Sequence, residues 1–306
     1  MTCQINYTEH RLAWQGTMPE ISAARSRRKR MRIPHLYSAL RYKSAVMRPE
    51  IISDPKVRQT LAAASRVSGR DVASALQNKR YFVDMAESYA VTLGAQVAVG
   101  RYFAERNGEP ELIVGHSLGH YAGLVMAGSL DFEETLSHLS ASGRAADDYF
   151  HRFNYATMLF GGVAGRAVFN KAAEIGGILL QMHSDGSVAI GRTDPLNEFK
   201  AFIEQMGGET KAVPLRLPFH NDLMKPAFAV ARAGIDKLSI HSPRITFLST
   251  YNVEHLSSPE AVFQALANEM VSPHKLQATI QKLVDAGHDS VIEMTTAGFD
   301  EVALAE

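Results

Sequence analysis

A serine framed by glycines is the feature of this sequence best suited to covalent chemistry. Residues 115–119 read Gly-His-Ser-Leu-Gly, with apolar segments directly before and after them. The pattern G-x-S-x-G is typical of a sharp turn from a strand into a helix, which lifts the serine hydroxyl into a cleft. The sequence therefore predicts Ser117 as a nucleophile, with an ordinary serine in a tight turn as the alternative. The amide of Leu118 would begin the helix and serve the oxyanion hole, and His116 would line the site.

A serine hydroxyl at neutral pH needs an adjacent base before it attacks a carbonyl carbon. The chain has 12 histidines, and His220 has the most suitable setting among them. Pro218 stands shortly before it, and a helix is predicted to begin near Asn221. A histidine on a rigid loop between two ordered elements can be aimed at a nucleophile. We therefore predict His220 as the base, with Phe219 beside it lining the substrate site.

The elements around these residues indicate an α/β fold. A short apolar run ends at Val114 and predicts a buried strand leading into the serine turn. Between residues 157 and 217 the pattern predicts the order β-α-β-β-α-β, which is the split βαβ arrangement of a ferredoxin-like unit. We expect this small subdomain to be inserted in a larger α/β-hydrolase-like domain with a parallel sheet. Residues 51–156 and 218–306 would form that larger domain.

Residues 1–50 are polar and weakly periodic, and they are predicted to be a poorly defined basic segment. Six cations fall between Arg25 and Arg32, a run typical of a solvated surface or, alternatively, of a docking site for an acidic partner.

The overall composition argues against several classes of function. The formal net charge is zero, so no global field attracts nucleic acid or an anionic membrane. The chain has one cysteine, Cys3, which excludes an internal disulfide and favours a cytoplasmic setting. No apolar run is long enough to predict a transmembrane helix. We predict neither a metal site nor a bound cofactor.

Several segments resemble a known family. Residues 115–124 read Gly-His-Ser-Leu-Gly-His-Tyr-Ala-Gly-Leu. They resemble the Gly-His-Ser-Leu-Gly-Glu-Tyr-x-Ala-Leu signature of the malonyl-CoA:acyl carrier protein transacylases, which acyltransferase domains of fatty-acid and polyketide synthases share. Residues 213–226 resemble the segment that carries the catalytic histidine of this family. Residues 271–273 and 289–293 resemble its later landmarks, so that the similarity extends over about residues 54–294.

The resemblance implies an activity. An acyl group would pass from coenzyme A to Ser117 and then to the phosphopantetheine thiol of an acyl carrier protein, by a ping-pong reaction through an acyl-serine ester. His220 would act as the base. In this family a backbone carbonyl commonly orients the histidine, and the matching position here is Glu269. The coenzyme A thioester is then a substrate rather than a cofactor, and the partners are acyl-CoA and an acyl carrier protein.

The chain departs from the family at its N-terminal end and in the serine motif. The family begins with a strand that runs into Pro-Gly-Gln-Gly-x-Gln, whose glutamine supplies an oxyanion-hole amide. At the expected position, residues 32–37 read Arg-Ile-Pro-His-Leu-Tyr. We therefore expect residues 1–50 to lack the family's first strand and glutamine loop. In addition, His120 stands where the family has glutamate after Gly-His-Ser-Leu-Gly.

A further departure concerns the acyl group. Members that use malonyl groups carry an arginine that pairs with the free carboxylate, and the aligned position here is Ser142. Arg144 lies two residues further on, about 200° round the helix, and should point away from the site. Ser142 is therefore expected to line the substrate site, and a neutral acyl group is expected to be used at least as well as malonyl.

The sequence leaves other functions open. On the same scaffold, water in place of a carrier thiol would make the protein an acyl-thioester hydrolase. A degenerate paralogue without catalytic activity would explain the missing N-terminal motif. From the serine turn alone, an ordinary α/β-hydrolase would also fit, but it requires an acidic triad residue between the serine and the histidine.

Overall fold

The computed structural model describes residues 33–38, 45–80, 82–163, 165–181, 187–213, 220 and 224–304. These residues form two sheets, a larger mixed sheet and a smaller antiparallel one. The strands, in chain order, are β1 (His35–Tyr37), β2 (Leu112–Gly115), β3 (Tyr155–Gly161), β4 (Ile178–Gln181), β5 (Ser187–Arg192), β6 (Glu209–Val213), β7 (Thr246–Ser249), β8 (His255–Leu256), β9 (Ser290–Met294) and β10 (Phe299–Ala303).

The helices cover both the larger and the smaller sheet. In chain order they are α1 (Pro49–Ile52), α2 (Pro55–Ser68), α3 (Val72–Ala75), α4 (Met85–Asn107), α5 (Leu118–Met126), α6 (Phe132–Arg152), α7 (Arg166–Ile175), α8 (Thr193–Gln205), α9 (Lys225–Ile235), α10 (Pro259–Glu269) and α11 (Leu276–Asp285). Among the described residues, none of these helices combines the length and the apolar character needed to cross a bilayer.

The larger sheet has the strand order β10-β9-β1-β2-β7-β8. Its four inner strands are parallel, whereas β10 and β8 pair antiparallel at the two edges. Parallel strands require both faces to be covered. Helices α4 and α5 pack on one face, and α11 covers the other, where its Ile280 and Leu283 pack with Leu36 of β1. Helix α4 is apolar over most of its circumference, and the Asp84 side chain caps it by accepting a hydrogen bond from the Glu87 amide.

The smaller sheet has the order β4-β5-β3-β6 and is antiparallel throughout. The chain passes through it as β3-α7-β4-β5-α8-β6, the split βαβ order. Aromatic and aliphatic side chains from β3 and α8, including Phe160, Phe199 and Ile203, form a core of its own. Its first strand begins at Tyr155, so the boundary predicted at residue 157 lies slightly too far along the chain.

One expectation about the N-terminal region is wrong. Residues 35–37 form β1, a strand in the middle of the larger sheet that pairs in parallel with both β2 and β9. The expectation rested on the missing family motif and on the polar, basic character of residues 1–50, but the one polar side chain of this triplet, that of His35, suits a core. That side chain is buried and packs edge-on against Phe103, with 4.9 Å between the ring centroids. Burial lowers the pKa of His35 to about 3, so the neutral ring behaves as a core aromatic. The basic run at 25–32 lies outside the described residues.

The end of β1 is locked to the serine turn. The Tyr37 carbonyl accepts a hydrogen bond from the His116 amide at 3.0 Å. The backbones approach so closely that a Cβ atom at Gly119 would lie 2.0 Å from this carbonyl oxygen. On the other side, Gln96 Nε2 in α4 donates to the Ser38 carbonyl at 2.8 Å. The second glycine of the motif is thus required for packing β1 against α5.

We expect Gly119→Ala to destabilise the protein by roughly 3 kcal/mol, because the added methyl group forces β1 away from α5. Gly161→Ala in β3 is the matched control, since its Cβ would meet no atom within 4 Å; we expect a change below about 0.5 kcal/mol. Urea unfolding followed by circular dichroism measures both. Equal midpoints for the two variants would contradict the close approach.

Candidate active site

The turn between β2 and α5 presents Ser117 in a conformation that few residues adopt. Its φ is 55° and its ψ is −127°, a strained backbone that persists only when its surroundings enforce it. Hydrogen bonds from the Gly119 amide to the His116 carbonyl (3.0 Å) and from the His120 amide to the Ser117 carbonyl (2.8 Å) close the turn. At Gly115 a Cβ atom would lie 2.6 Å from the Phe247 ring, so only glycine fits.

The structure brings Ser117 and His220 into contact. Ser117 Oγ lies 2.9 Å from His220 Nε2, and His220 Nδ1 lies 2.9 Å from the Glu269 carbonyl oxygen. A carbonyl oxygen only accepts, so Nδ1 carries the proton and Nε2 presents its lone pair to the serine. This tautomer can take the proton of the Ser117 hydroxyl. Glu269, the residue expected to orient the histidine, thus contacts His220 through its backbone carbonyl.

His220 is fixed by its own backbone as well as by its ring. Its φ is 63°, in the left-handed region, and its amide donates to the Met270 carbonyl at 2.8 Å. Burial, and to a smaller extent His274, lower the pKa of His220 to about 4, although Glu269 acts in the opposite direction. The imidazole is therefore neutral, and able to accept a proton, across the neutral pH range.

A small cavity opens beside Ser117 at the start of α5. Leu118 is the first residue of that helix, so its amide has no partner within the helix and can serve a developing oxyanion. The cavity volume is about 10 Å³, which is room for roughly one water molecule. No lysine or arginine is among the described residues that line it, which are Tyr89, Ser117, Leu118, Tyr121, Leu139, His220, Glu269 and Met270.

Two residues expected to line the substrate site are not among these. Ser142 is buried in α6, where its hydroxyl donates to the His138 carbonyl at 2.8 Å; α6 presents Leu139 to the cavity instead. His116 has Nδ1 3.3 Å from Thr250 Oγ1, on the opposite side of the turn. Arg144 is exposed, as helix geometry predicts. Phe219 lies outside the described residues.

Sequence reasoning missed His274, Tyr89 and Tyr121. The ring of His274 lies edge-on to that of His220, with 4.1 Å between centroids. His274 directly follows Ser272 and Pro273, which lie in a segment that resembles the family, and this position was the sequence signal that could have identified it. The two tyrosines lie on α4 and α5 and were treated as ordinary helix core. No group of three or more His, Cys, Asp or Glu side chains suited to hold a metal ion occurs within the described ranges.

The rate at which an activated acetyl ester acylates Ser117 should stay constant from neutral pH down to about pH 5 and halve near pH 4. The reason is that His220 accepts the serine proton only while neutral, and its pKa in the folded protein lies below the usual value of 6.5. Intact-mass kinetics at a series of pH values measure this rate. Circular dichroism at each pH separates loss of base function from unfolding, and a midpoint near 6.5 in folded protein would contradict the burial of His220.

Comparison with known proteins identifies the family. The family described as "Acyl transferase domain" matches residues 53–296. Over 248 residues the chain is 28% identical to the malonyl CoA-acyl carrier protein transacylase of Haemophilus influenzae, which covers 76% of this chain and 78% of the relative. The corresponding protein of Bacillus subtilis is 26% identical over 223 residues, covering 68% of this chain and 70% of that protein.

Solved structures share the fold. The malonyl CoA-acyl carrier protein transacylase of Coxiella burnetii superposes with a TM-score of 0.72 at 23% identity, covering 86% of this chain and 87% of that one. A malonyl-transacylase solved in complex with a type II PKS acyl-carrier protein gives a TM-score of 0.72 at 22% identity, covering 86% and 89%. These matches confirm the predicted α/β fold class and the family resemblance. The chain belongs to the acyl transferase domain family.

Proposed function

We propose that this protein transfers an acyl group from coenzyme A to the phosphopantetheine thiol of an acyl carrier protein, through an ester on Ser117. The observation that carries the proposal is the 2.9 Å contact between Ser117 Oγ and a His220 Nε2 whose lone pair faces it. Relatives named as malonyl CoA-acyl carrier protein transacylases support the choice of donor and acceptor. So does the solved complex of a malonyl-transacylase with an acyl-carrier protein.

In the first half-reaction, His220 Nε2 takes the proton of Ser117 as Oγ attacks the thioester carbonyl carbon. The Leu118 amide donates to the oxyanion that forms. The C–S bond then breaks, the coenzyme A sulfur takes the proton from His220, and the acyl group remains on Ser117. The carbonyl of Glu269 holds the ring throughout and stabilises the imidazolium between the two proton transfers.

The second half-reaction reverses these steps with another thiol. The phosphopantetheine thiol gives its proton to His220 as its sulfur attacks the acyl-serine carbonyl. The Ser117 oxygen leaves and recovers the proton. Residues 32–37, the position expected for the glutamine that supplies the family's second oxyanion-hole amide, contain no glutamine, and β1 occupies residues 35–37.

We further propose that the preferred acyl group is small and neutral. Apart from Ser117, His220 and Glu269, the described residues that line the cavity beside Ser117 are apolar or phenolic, and none of the described lining residues is a lysine or an arginine. A free carboxylate placed there would lose hydration without gaining a counter-charge, which costs several kcal/mol. The hydroxyl of Ser142 offers no substitute, since it is outside the cavity and already donates to the His138 carbonyl.

Ser117→Ala should abolish the acyl adduct that the native protein forms with acetyl-CoA, because it removes the hydroxyl that lies 2.9 Å from His220 Nε2. Intact-mass spectrometry detects the adduct. The exposed Ser239 provides the control, and Ser239→Ala should be acylated like the native protein. An adduct that persists on Ser117→Ala would refute the assignment. Rapid loss of the adduct in the absence of carrier protein would instead indicate a thioester hydrolase.

In competition at equal concentrations, acetyl-CoA should yield at least as much adduct on Ser117 as malonyl-CoA. The physical reason is that no lysine or arginine occurs among the described residues that line the acyl cavity. Mass spectrometry distinguishes the two adducts in a single sample, and short reaction times report relative kcat/KM. The contrary outcome is a malonyl adduct about tenfold more abundant than the acetyl adduct, equivalent to roughly 1.4 kcal/mol. It would show that a cation outside the described lining residues pairs with the malonyl carboxylate.

A further inference from the structure

Three polar side chains form a buried cluster next to His220. They are His120 of α5, Glu269 at the end of α10, and His274, and their side chains are 0%, 3% and 5% exposed. Glu269 Oε2 lies 3.4 Å from His274 Nε2 and 3.7 Å from His120 Nδ1. Within the described part of the chain, these three atoms have no hydrogen bond of good geometry. A buried carboxylate needs a counter-charge or a proton, so the protonation of this cluster requires an explanation.

Thr250 determines which nitrogen of His274 carries a proton. The Thr250 hydroxyl donates to the Gly115 carbonyl at 2.9 Å, and this oxygen can only accept. His274 Nδ1 lies 2.7 Å from the same hydroxyl oxygen. Since a hydroxyl has one proton, His274 Nδ1 must be the donor in this contact. In a neutral ring, Nε2 would then present a lone pair toward Glu269.

A lone pair facing a carboxylate oxygen at 3.4 Å is repulsive, and one proton placed between the two atoms removes the repulsion. Imidazole is the stronger base of the two groups in water, so the proton belongs on Nε2. Glu269 makes ion-pair contacts with His274 and His120, and within the described ranges with no lysine or arginine. Of the two rings, His274 lies nearer to the carboxylate, at 3.4 Å against 3.7 Å, and its other nitrogen is hydrogen-bonded to Thr250, so the shared proton is assigned to His274.

The cluster touches His220 at two points. The backbone of Glu269 accepts from His220 Nδ1, and the ring of His274 lies 4.1 Å from that of His220. The ring centroids of His116 and His274 lie 5.2 Å apart, and burial, followed by the nearby Glu269, raises the pKa of the Tyr121 phenol. Glu269 therefore holds His220 at Nδ1, and His274 packs against the His220 ring. Together the two residues can restrict tilting of that ring.

We propose that Glu269 and His274 form a buried ion pair that shares one proton and acts as a positioning unit for His220. The consequence for catalysis rests on the proposed acyl transfer, whereas the ion pair itself does not. The pair fixes the position of the Glu269 carbonyl relative to the His274 ring, and both of these groups contact His220. Its opposite charges act on His220 in opposite directions, which leaves the base neutral without an unpaired charge beside it.

The protonation state can be measured without substrate. In protein labelled with 15N-histidine at pH 7, His274 should show one-bond proton couplings at both ring nitrogens, assigned by their loss in His274→Gln. In Glu269→Gln the side-chain amide donates to Nε2, so His274 should retain only the Nδ1 coupling. The exposed His241 provides a control, and His241→Gln should leave the His274 signals unchanged. A His274 ring with one proton in the native protein would overturn the proposal.

The positioning role is tested by the rate of Ser117 acylation. Glu269→Leu and His274→Leu should each lower kcat about tenfold with KM unchanged, the size of effect seen for outer-shell partners of functional histidines. The double variant should lose no more than either single one, because the two residues act as a unit. Glu269→Gln should recover activity to within about threefold of native, since its amide still bonds to His274.

Equal activity of Glu269→Leu and Glu269→Gln would overturn the positioning role. If either leucine variant fails to unfold cooperatively, the NMR comparison of the native protein with Glu269→Gln still decides whether the pair exists. If Ser117 is never acylated in the native protein, the proposed function fails while the NMR result stands.

Discussion

The hydrogen bond from His220 Nδ1 to the Glu269 carbonyl is the constraint on which the chemistry of this site depends. At 2.9 Å it places the proton on Nδ1 and leaves Nε2 free to face Ser117. An aspartate would fix the same tautomer but would bring a negative charge that stabilises the imidazolium permanently. A carbonyl dipole fixes the tautomer with less effect on the basicity of the imidazole. The effect of burial therefore prevails and lowers the pKa of His220 to about 4.

That bond is useful only because Ser117 is held as firmly as His220. Both residues have positive φ values, 55° and 63°, which are maintained by packing from outside their own loops. For Ser117 the packing comes from β1 on one side of the turn and from the Phe247 ring in β7 on the other. A strand of three residues in the centre of the sheet is therefore as important to the site as the serine motif itself.

The serine, the histidine and the orienting position could be predicted because each depends on local sequence or on a motif. Ser117 lies in a glycine-framed turn, and His220 and Glu269 lie in segments that match the family. By contrast, β1 could not be predicted, because whether His35 suits a core depends on Phe103, which is distant in the sequence. The side-chain pair of Glu269 and His274 was missed for a similar reason. Its protonation depends on Thr250, and neither spacing nor composition reveals that contact.

A base with a pKa of about 4 is weak, and thioester chemistry explains why it suffices. A thiol, with an ordinary pKa near 8.5, leaves far more readily than the amine of a peptide, so little proton donation is needed to expel it. What an acyltransferase requires more is that water stay away from the acyl-serine ester until the carrier thiol arrives. The cavity beside Ser117 has a volume of about 10 Å³, which is space for roughly one water molecule before any acyl group enters. If a small acyl group on Ser117 fills that space, as proposed above, the same packing that buries the base would also exclude water, and transfer to a thiol would be favoured over hydrolysis.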